Sequence, residues 1–175
     1  MRIEVDQLKE TGVPFANSYA PADLQLGDEL TCLVAETNVA GRAGKKREQV
    51  RLQGTITTAV EVCCDRCAAP VVVRVNTDFD VTYIPAELEA APEEATELQA
   101  DDLSFAVYEG DGLDLDELVR EQVLLALPTR QLCREDCRGL CLTCSADLNT
   151  QICRCEQPGG DPRWAVLAAL QKSDK

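Results

Sequence analysis

The chain has 175 residues, 31 acidic and 17 basic, giving a formal charge of −14, with ten cysteines and no histidine. Without histidine there is no Ser-His-Asp or Cys-His couple, no imidazole ligand for a metal, and no side chain whose ordinary pKa lies near neutrality. The acidity argues against an open, nonspecific nucleic-acid binder or an anionic-membrane binder, both of which rely on positive charge, while 45% apolar residues suffice to bury a core.

The opening MRIEVDQLKE lacks a basic stretch followed by an apolar one, and no later run approaches the ~20 apolar residues of a membrane span, so a cytoplasmic protein is expected. RIEVDQL and ELTCLVAETNVA read as strands, with Cys32 a small buried core residue. GRAGKKRE, residues 41–48, interrupts with two glycines and four basic residues. QVRLQGTITTAVEV then resumes alternation, with Val50, Leu52, Ile56, Val60 and Val62 on one parity, so the segment predicts a hairpin with a basic tip. Arg42, Lys45, Lys46, Arg47 and Arg51 cluster on and beside that tip, where they could meet phosphates of a nucleic acid or simply keep the tip soluble. VVVRVNTDFDVTYI gives a further strand with Phe79, Val81 and Tyr83 on one face.

Residues 75–119 hold 14 acidic side chains and no basic one, which accounts for the whole charge imbalance. Within them, 85–100 (PAELEAAPEEATELQA) reads as a long acidic loop, and 103–109 (LSFAVYE) as a short strand. Asp114, with Glu117 three residues on, predicts a capped helix over 114–127, with Leu115, Leu118, Val119, Gln122, Leu125 and Ala126 at helical spacing until Pro128. A second helix is expected from Asp161, with Pro162 in its first turn and an apolar stripe of Trp164, Leu167 and Leu170. The expected fold is α+β: an antiparallel sheet curling toward a barrel, two late helices, and a C-terminal cysteine-rich zinc-knuckle segment. The division is 1–128 for the sheet with its acidic loop and first helix, and 129–175 for the cysteine-rich segment with its terminal helix, packed on the sheet.

Nine cysteines fall in two groups, Cys63, Cys64 and Cys67, then Cys133, Cys137, Cys141, Cys144, Cys153 and Cys155. In a reducing compartment such spacing points to metal before disulfides. Cys64-x2-Cys67 and Cys141-x2-Cys144 allow two thiolates to converge on a tetrahedral ion, and Cys133-x3-Cys137 and Cys153-x-Cys155 supply second pairs. Cys141, Cys144, Cys153 and Cys155 are expected to form one local site, and Cys64, Cys67, Cys133 and Cys137 a second that ties the sheet to the C-terminal segment. Cys63 has the opposite strand parity and is the spare, with Cys63-x3-Cys67 the alternative. Closed sets of four thiolates leave no position for substrate, so two structural Zn²⁺ ions are expected; an Fe–S cluster uses the same donors. A thioredoxin-like pair is disfavoured, because Cys67 leads to another strand and not into a helix. Arg130, Arg134, Arg138, Arg154 and Arg163 are interleaved with the cysteines and suit donation to the thiolates.

As an ordered set, CDRCAAP, LALP, LCREDCRGLCLTC, DLN, CRC and DPRWAVLAAL resemble the YceD family, the large ribosomal RNA subunit accumulation proteins. The resemblance implies a non-enzymatic role in large ribosomal subunit biogenesis, supporting accumulation or processing of 23S-type rRNA. A ribosomal protein or pre-ribosomal particle is the partner it implies, with any rRNA contact local, and no membrane or small-molecule substrate. Where the family tends to carry Pro and Gly after the third and fourth cysteines of the cluster, this chain has Leu142 and Ser145, and Ser enters a left-handed turn less readily than Gly. Two other classes fit the residues: a zinc-stabilised protein-interaction module that touches no RNA, and an Fe–S or redox protein.

Overall fold

The computed structural model describes residues 1–27, 30–88 and 105–155. Their elements are β1 (Arg2–Glu4), β2 (Val13–Tyr19), β3 (Cys32–Leu33), β4 (Thr37–Lys46), β5 (Gln49–Cys63), β6 (Pro70–Pro85), β7 (Phe105–Tyr108), β8 (Gly112–Asp114) and α1 (Leu115–Ala126). Alternation makes β5: Val50, Leu52, Ile56, Val60 and Val62 all point inward and are buried, with Thr58 on the same parity, while the odd-numbered residues between them face out. Each such aliphatic side chain contributes about 1.5–3 kcal/mol by leaving water. Phe79 on β6 shares that inner face and is buried, with Val81 and Tyr83 packed against the same core.

The main sheet runs β2-β4-β5-β6-β7, and β3 pairs with the far part of β5. Two expectations need correction here. The sheet is open: β2 and β7 stand at opposite edges, and among the described residues they do not pair. Its inner face is covered instead by α1, which packs on β5 and β6 and against β1, itself paired with β8 in a separate ribbon. Nor is the sheet wholly antiparallel, since β7 lies parallel to β6 in the register Thr82↔Phe105 to Pro85↔Tyr108. A parallel neighbour requires a crossover of about a dozen residues or more. The acidic stretch after Pro85 is that crossover; Ala86–Leu88 form one 3₁₀ turn, and its remainder to residue 104 lies outside the described residues. The predicted helix from Asp161 lies outside them as well.

The basic tip is narrower than the glycines suggested. β4 continues through Gly41 and Gly44 to Lys46, opposite Gln49, so only Arg47 and Glu48 make the turn, with Arg47 at φ 56°. The glycines stay in the strand for a packing reason. Phe15, Gly41, Gly54 and Phe79 form one row across β2, β4, β5 and β6. A Cβ on Gly41 would lie 2.2 Å from the Gln53 carbonyl oxygen and 3.0 Å from the Phe15 ring; one on Gly54 would lie 2.3 Å from the Ala40 carbonyl oxygen and 2.9 Å from the Phe79 ring. Two aromatic rings therefore cover bare backbone, which only glycine permits.

β2 was not legible as a strand. Its Pro14 is tolerated because β2 is an edge. Cys32 is exposed and not a core residue, because Leu33 takes the inward place opposite Val60, and the next residue along a strand must turn outward. In α1, Asp114 caps the helix by accepting from the Asp116 N–H at 2.9 Å. Leu115, Leu118, Val119 and Val123 are buried, whereas Leu125, at the rim of that stripe, is 78% exposed. Among the described residues no helix is long and apolar enough to cross a membrane.

Gly54→Ala is expected to lower stability by about 1–3 kcal/mol through overpacking against β4 and Phe79, read as a reduced urea midpoint with an unchanged slope.

Candidate metal centres

β5 and β6 are joined by residues 64–69, and their closure is specific. The Cys64 N–H donates to the Ala69 carbonyl at 2.8 Å, and the Ala68 N–H donates to the Cys64 carbonyl at 2.9 Å. Residues 141–146 repeat this pattern: the Cys141 N–H donates to Ala146 and the Ser145 N–H to Cys141, both at 2.9 Å. Ala68 and Ser145, each directly after the second cysteine of its turn, both stand at φ 56°. The same knuckle is thus built twice. Ser145 takes the left-handed conformation despite its Cβ, at a cost of about 1–2 kcal/mol relative to Gly.

Each knuckle receives two further sulfurs. The Sγ atoms of Cys64, Cys67, Cys133 and Cys137 lie within 4.8 Å of one another, and so do those of Cys141, Cys144, Cys153 and Cys155. Individual separations are 3.9 Å for Cys64–Cys137, 3.6 Å for Cys67–Cys133, 3.6 Å for Cys144–Cys153 and 3.3 Å for Cys141–Cys153. A tetrahedral ion with Zn–S near 2.3 Å places its sulfurs about 3.8 Å apart. Both sets therefore fit a four-thiolate ion and could hold one each. Cys63, on the outer parity of β5, belongs to neither set.

Backbone amides aim at the sulfurs. The Cys133 N–H donates to Cys64 Sγ at 3.3 Å, the Thr143 N–H to Cys141 Sγ at 3.4 Å and the Cys155 N–H to Cys153 Sγ at 3.3 Å. The Cys64 thiol is drawn down to about 6 by the N–H groups of Cys133 and Arg66, and Cys141 to about 6 by those of Cys144 and Thr143. Burial and the Cys137 thiol push Cys133 up to about 12, and the Cys153 and Cys144 thiols push Cys155 up to about 12. In each set one thiol ionises readily and another resists, Cys133 through burial and its neighbouring thiols and Cys155 through its neighbouring thiols and burial. A divalent cation is what lets all four be thiolates together.

The first set crosses the molecule. The Asp65 N–H donates to the Gln131 carbonyl at 2.8 Å, and the Gln131 N–H returns a bond to the Asp65 carboxylate at 2.6 Å. Arg66 donates to the Cys137 carbonyl at 2.6 Å, and the Leu140 N–H to the Arg66 carbonyl at 3.0 Å. Gly139, at φ 77°, lies so close that a Cβ would come within 2.8 Å of the Arg66 carbonyl oxygen. Asn149, in the stretch between Cys144 and Cys153, reaches back to the first set. Its side-chain oxygen accepts from Arg134 and from the Arg138 N–H, both at 2.8 Å, and its amide donates to Asp147 at 2.7 Å and to Cys137 Sγ at 3.4 Å. Sequence reasoning singled out Asp147-Leu148-Asn149 without giving Asn149 a role; a lone Asn among cysteines carries no signal of its own.

The basic hairpin residues divide between the two faces of the sheet, with Arg42, Lys46 and Arg51 on the outer one. Arg51 is paired with Asp80, and Arg42 donates to the Thr11 and Gly12 carbonyls at 3.4 Å. By strand parity Lys46 faces outward and Lys45, opposite the buried Val50, faces inward, leaving Arg47 in the turn. Among the described residues, none of Arg130, Arg134, Arg138 and Arg154 donates to a sulfur, and Arg163 lies outside them; Arg134 bonds Asn149 and pairs with Asp136, and Arg66, which the sequence does not single out, holds the Cys137 carbonyl.

Residues 52–171 match the family model described as large ribosomal RNA subunit accumulation protein YceD. The chain is 28% identical over 134 residues to the large ribosomal RNA subunit accumulation protein YCED homolog 1, chloroplastic, of Zea mays, an alignment covering 64% of this chain and 46% of the relative. It is 31% identical over 128 residues to an uncharacterized protein of Mycobacterium tuberculosis, covering 70% and 56% of the two chains. An uncharacterized protein of Mycobacterium leprae is 27% identical over 161 residues, covering 88% and 69%. The chain spans about half the length of the first two relatives. No solved structure matches.

Ser145→Gly is expected to stabilise the second knuckle by about 0.5–1 kcal/mol, relief of the left-handed strain less the extra freedom of glycine in the unfolded chain. Slower transfer of metal from the purified protein to a competing chelator would register it.

Proposed function

The chain belongs to the YceD family, and from that premise we propose that it is a non-enzymatic factor in large ribosomal subunit biogenesis, supporting accumulation or processing of 23S-type rRNA, with two structural zinc ions. The observation that carries this reading is the extent of the family match, residues 52–171, which encloses both sulfur sets. The maize relative's name is that of a large ribosomal RNA subunit accumulation protein. One ion would be held by Cys64, Cys67, Cys133 and Cys137, the other by Cys141, Cys144, Cys153 and Cys155. Bound there, zinc supplies cross-linking and charge neutralisation; four thiolates leave no open coordination position for a substrate or a water. A reducing compartment such as the cytoplasm suits these thiols. The partner is a ribosomal protein or pre-ribosomal particle, engaged through the acidic residues of 75–119.

A second reading, a zinc-stabilised protein-interaction module that touches no RNA, is favoured by the state of the hairpin cations. Arg51 pairs with the Asp80 carboxylate and Arg42 donates to the Thr11 and Gly12 carbonyls, so two of the five cations already have partners within the chain.

The purified protein is expected to carry two zinc ions per chain, one lost in Cys137→Ser and the other in Cys153→Ser, as read by elemental analysis. A single ion, visible absorbance from iron and sulfide, or loss of both ions with either change would refute the assignment. In cells, depletion is expected to lower the free large-subunit and assembled-ribosome peaks of a sucrose gradient relative to the small subunit. Normal large-subunit levels would remove the ribosomal reading, and partners recovered unchanged after nuclease would favour the module without RNA.

A further inference from the structure

β7 ends the sheet. Its Phe105–Tyr108 backbone pairs with β6 on one side, and among the described residues nothing pairs with the other. Such an edge presents a row of unmet N–H and C=O groups, and proteins normally blunt it with charge, proline or a covering segment. Here the strand is FAVY, with Phe105 and Val107 exposed.

Between β7 and α1 lies a cleft of about 500 Å³, lined by Tyr83, Val107, Tyr108, Asp114, Glu117 and Glu121 among others, and by no Lys or Arg. The carboxylates are felt at the wall: burial first, then Glu121 and Glu117, push the Tyr83 hydroxyl up to about 12. Two aromatic rings among carboxylates suit an alkylammonium or guanidinium group, which gains both ion pairing and cation–π attraction. The chain's own adjoining segment is a poor occupant, because residues 89–104 carry six acidic side chains and no basic one.

We infer that the edge of β7 left unpaired among the described residues, with the cleft beside it, docks an extended Lys/Arg-rich segment of a partner protein, which adds to the sheet as a further strand. Main-chain bonds to β7 give affinity, and alternate side chains divide between the two faces of the edge. Apolar residues of the incoming strand lie beside Phe105, and the basic ones enter the cleft. This rests on, and deepens, the reading of a basic ribosomal partner for the acidic region.

The test uses the full chain and a fluorescent peptide of alternating lysine and valine, followed by anisotropy. Binding is expected to weaken about tenfold when the peptide is N-methylated at every second residue, which removes strand pairing without touching the protein. At low salt, about tenfold weakening is also expected for Glu117→Gln with Glu121→Gln, two exposed helix positions whose exchange leaves the fold intact by circular dichroism. Equal binding of the N-methylated peptide, equal binding to the double variant, or no binding of the parent peptide overturns the groove. If the peptide binds as expected while depletion leaves large-subunit levels normal, the groove stands and the ribosomal role falls.

Discussion

Convergence of sulfur on the turn that joins β5 to β6 is the constraint from which the rest of the C-terminal half follows. Between residues 129 and 155 only Cys137 and Gly139 are fully buried, and Leu142 and Ile152 are each 95% exposed. There is no apolar core to hold this stretch. Its order comes from two knuckles, the amides directed at their sulfurs, and the backbone seam between Arg66 and residues 137–140. Metal bound to such donors can contribute about 10–16 kcal/mol of apparent free energy, as much as a whole domain's net stability.

The sheet's task is to present the first knuckle. β5 and β6 are 15 and 16 residues long, pair over nearly their whole length, and end together at Cys63↔Pro70, so the position of Cys64 and Cys67 is set by a rigid two-stranded arm. The Phe15–Gly41–Gly54–Phe79 row lies at the other half of that arm, and α1 seals the inner face between. Core and sulfur sets are thus separate sources of stability joined through one turn, and the acidic cleft lies on the far strand, β7, away from the cysteines.

Much of this was legible in the chain. Strict alternation fixed the inner face of β5, the capping residue Asp114 began α1 where the structure begins it, and short spacings marked the cysteine pairs, although the meeting of Cys64 and Cys67 with Cys133 and Cys137 followed only from what the local site left over. What escaped depends on distant residues. Gly41 and Gly44 read as turn formers because the rings that cover Gly41 and Gly54 come from β2 and β6. β2 itself was hidden by Pro14, and the parallel entry of β7 is decided by a crossover whose composition says only that it is acidic. Cys32 was placed inside on residue type and a strand-like run, when the pairing of Leu33 with Val60 turns it out.

The two sulfur sets differ in the length of chain each must gather. Cys64 and Cys137 meet across 73 positions, Cys141 and Cys153 across 12. Closing the longer loop costs on the order of 1.5 kcal/mol more in chain entropy, and its arm must first be paired into a sheet. The local set can therefore close as soon as its own stretch is free, on an otherwise unfolded chain. The long-range set can close only after the sheet exists. Chain entropy thus favours closure of the second knuckle before the first.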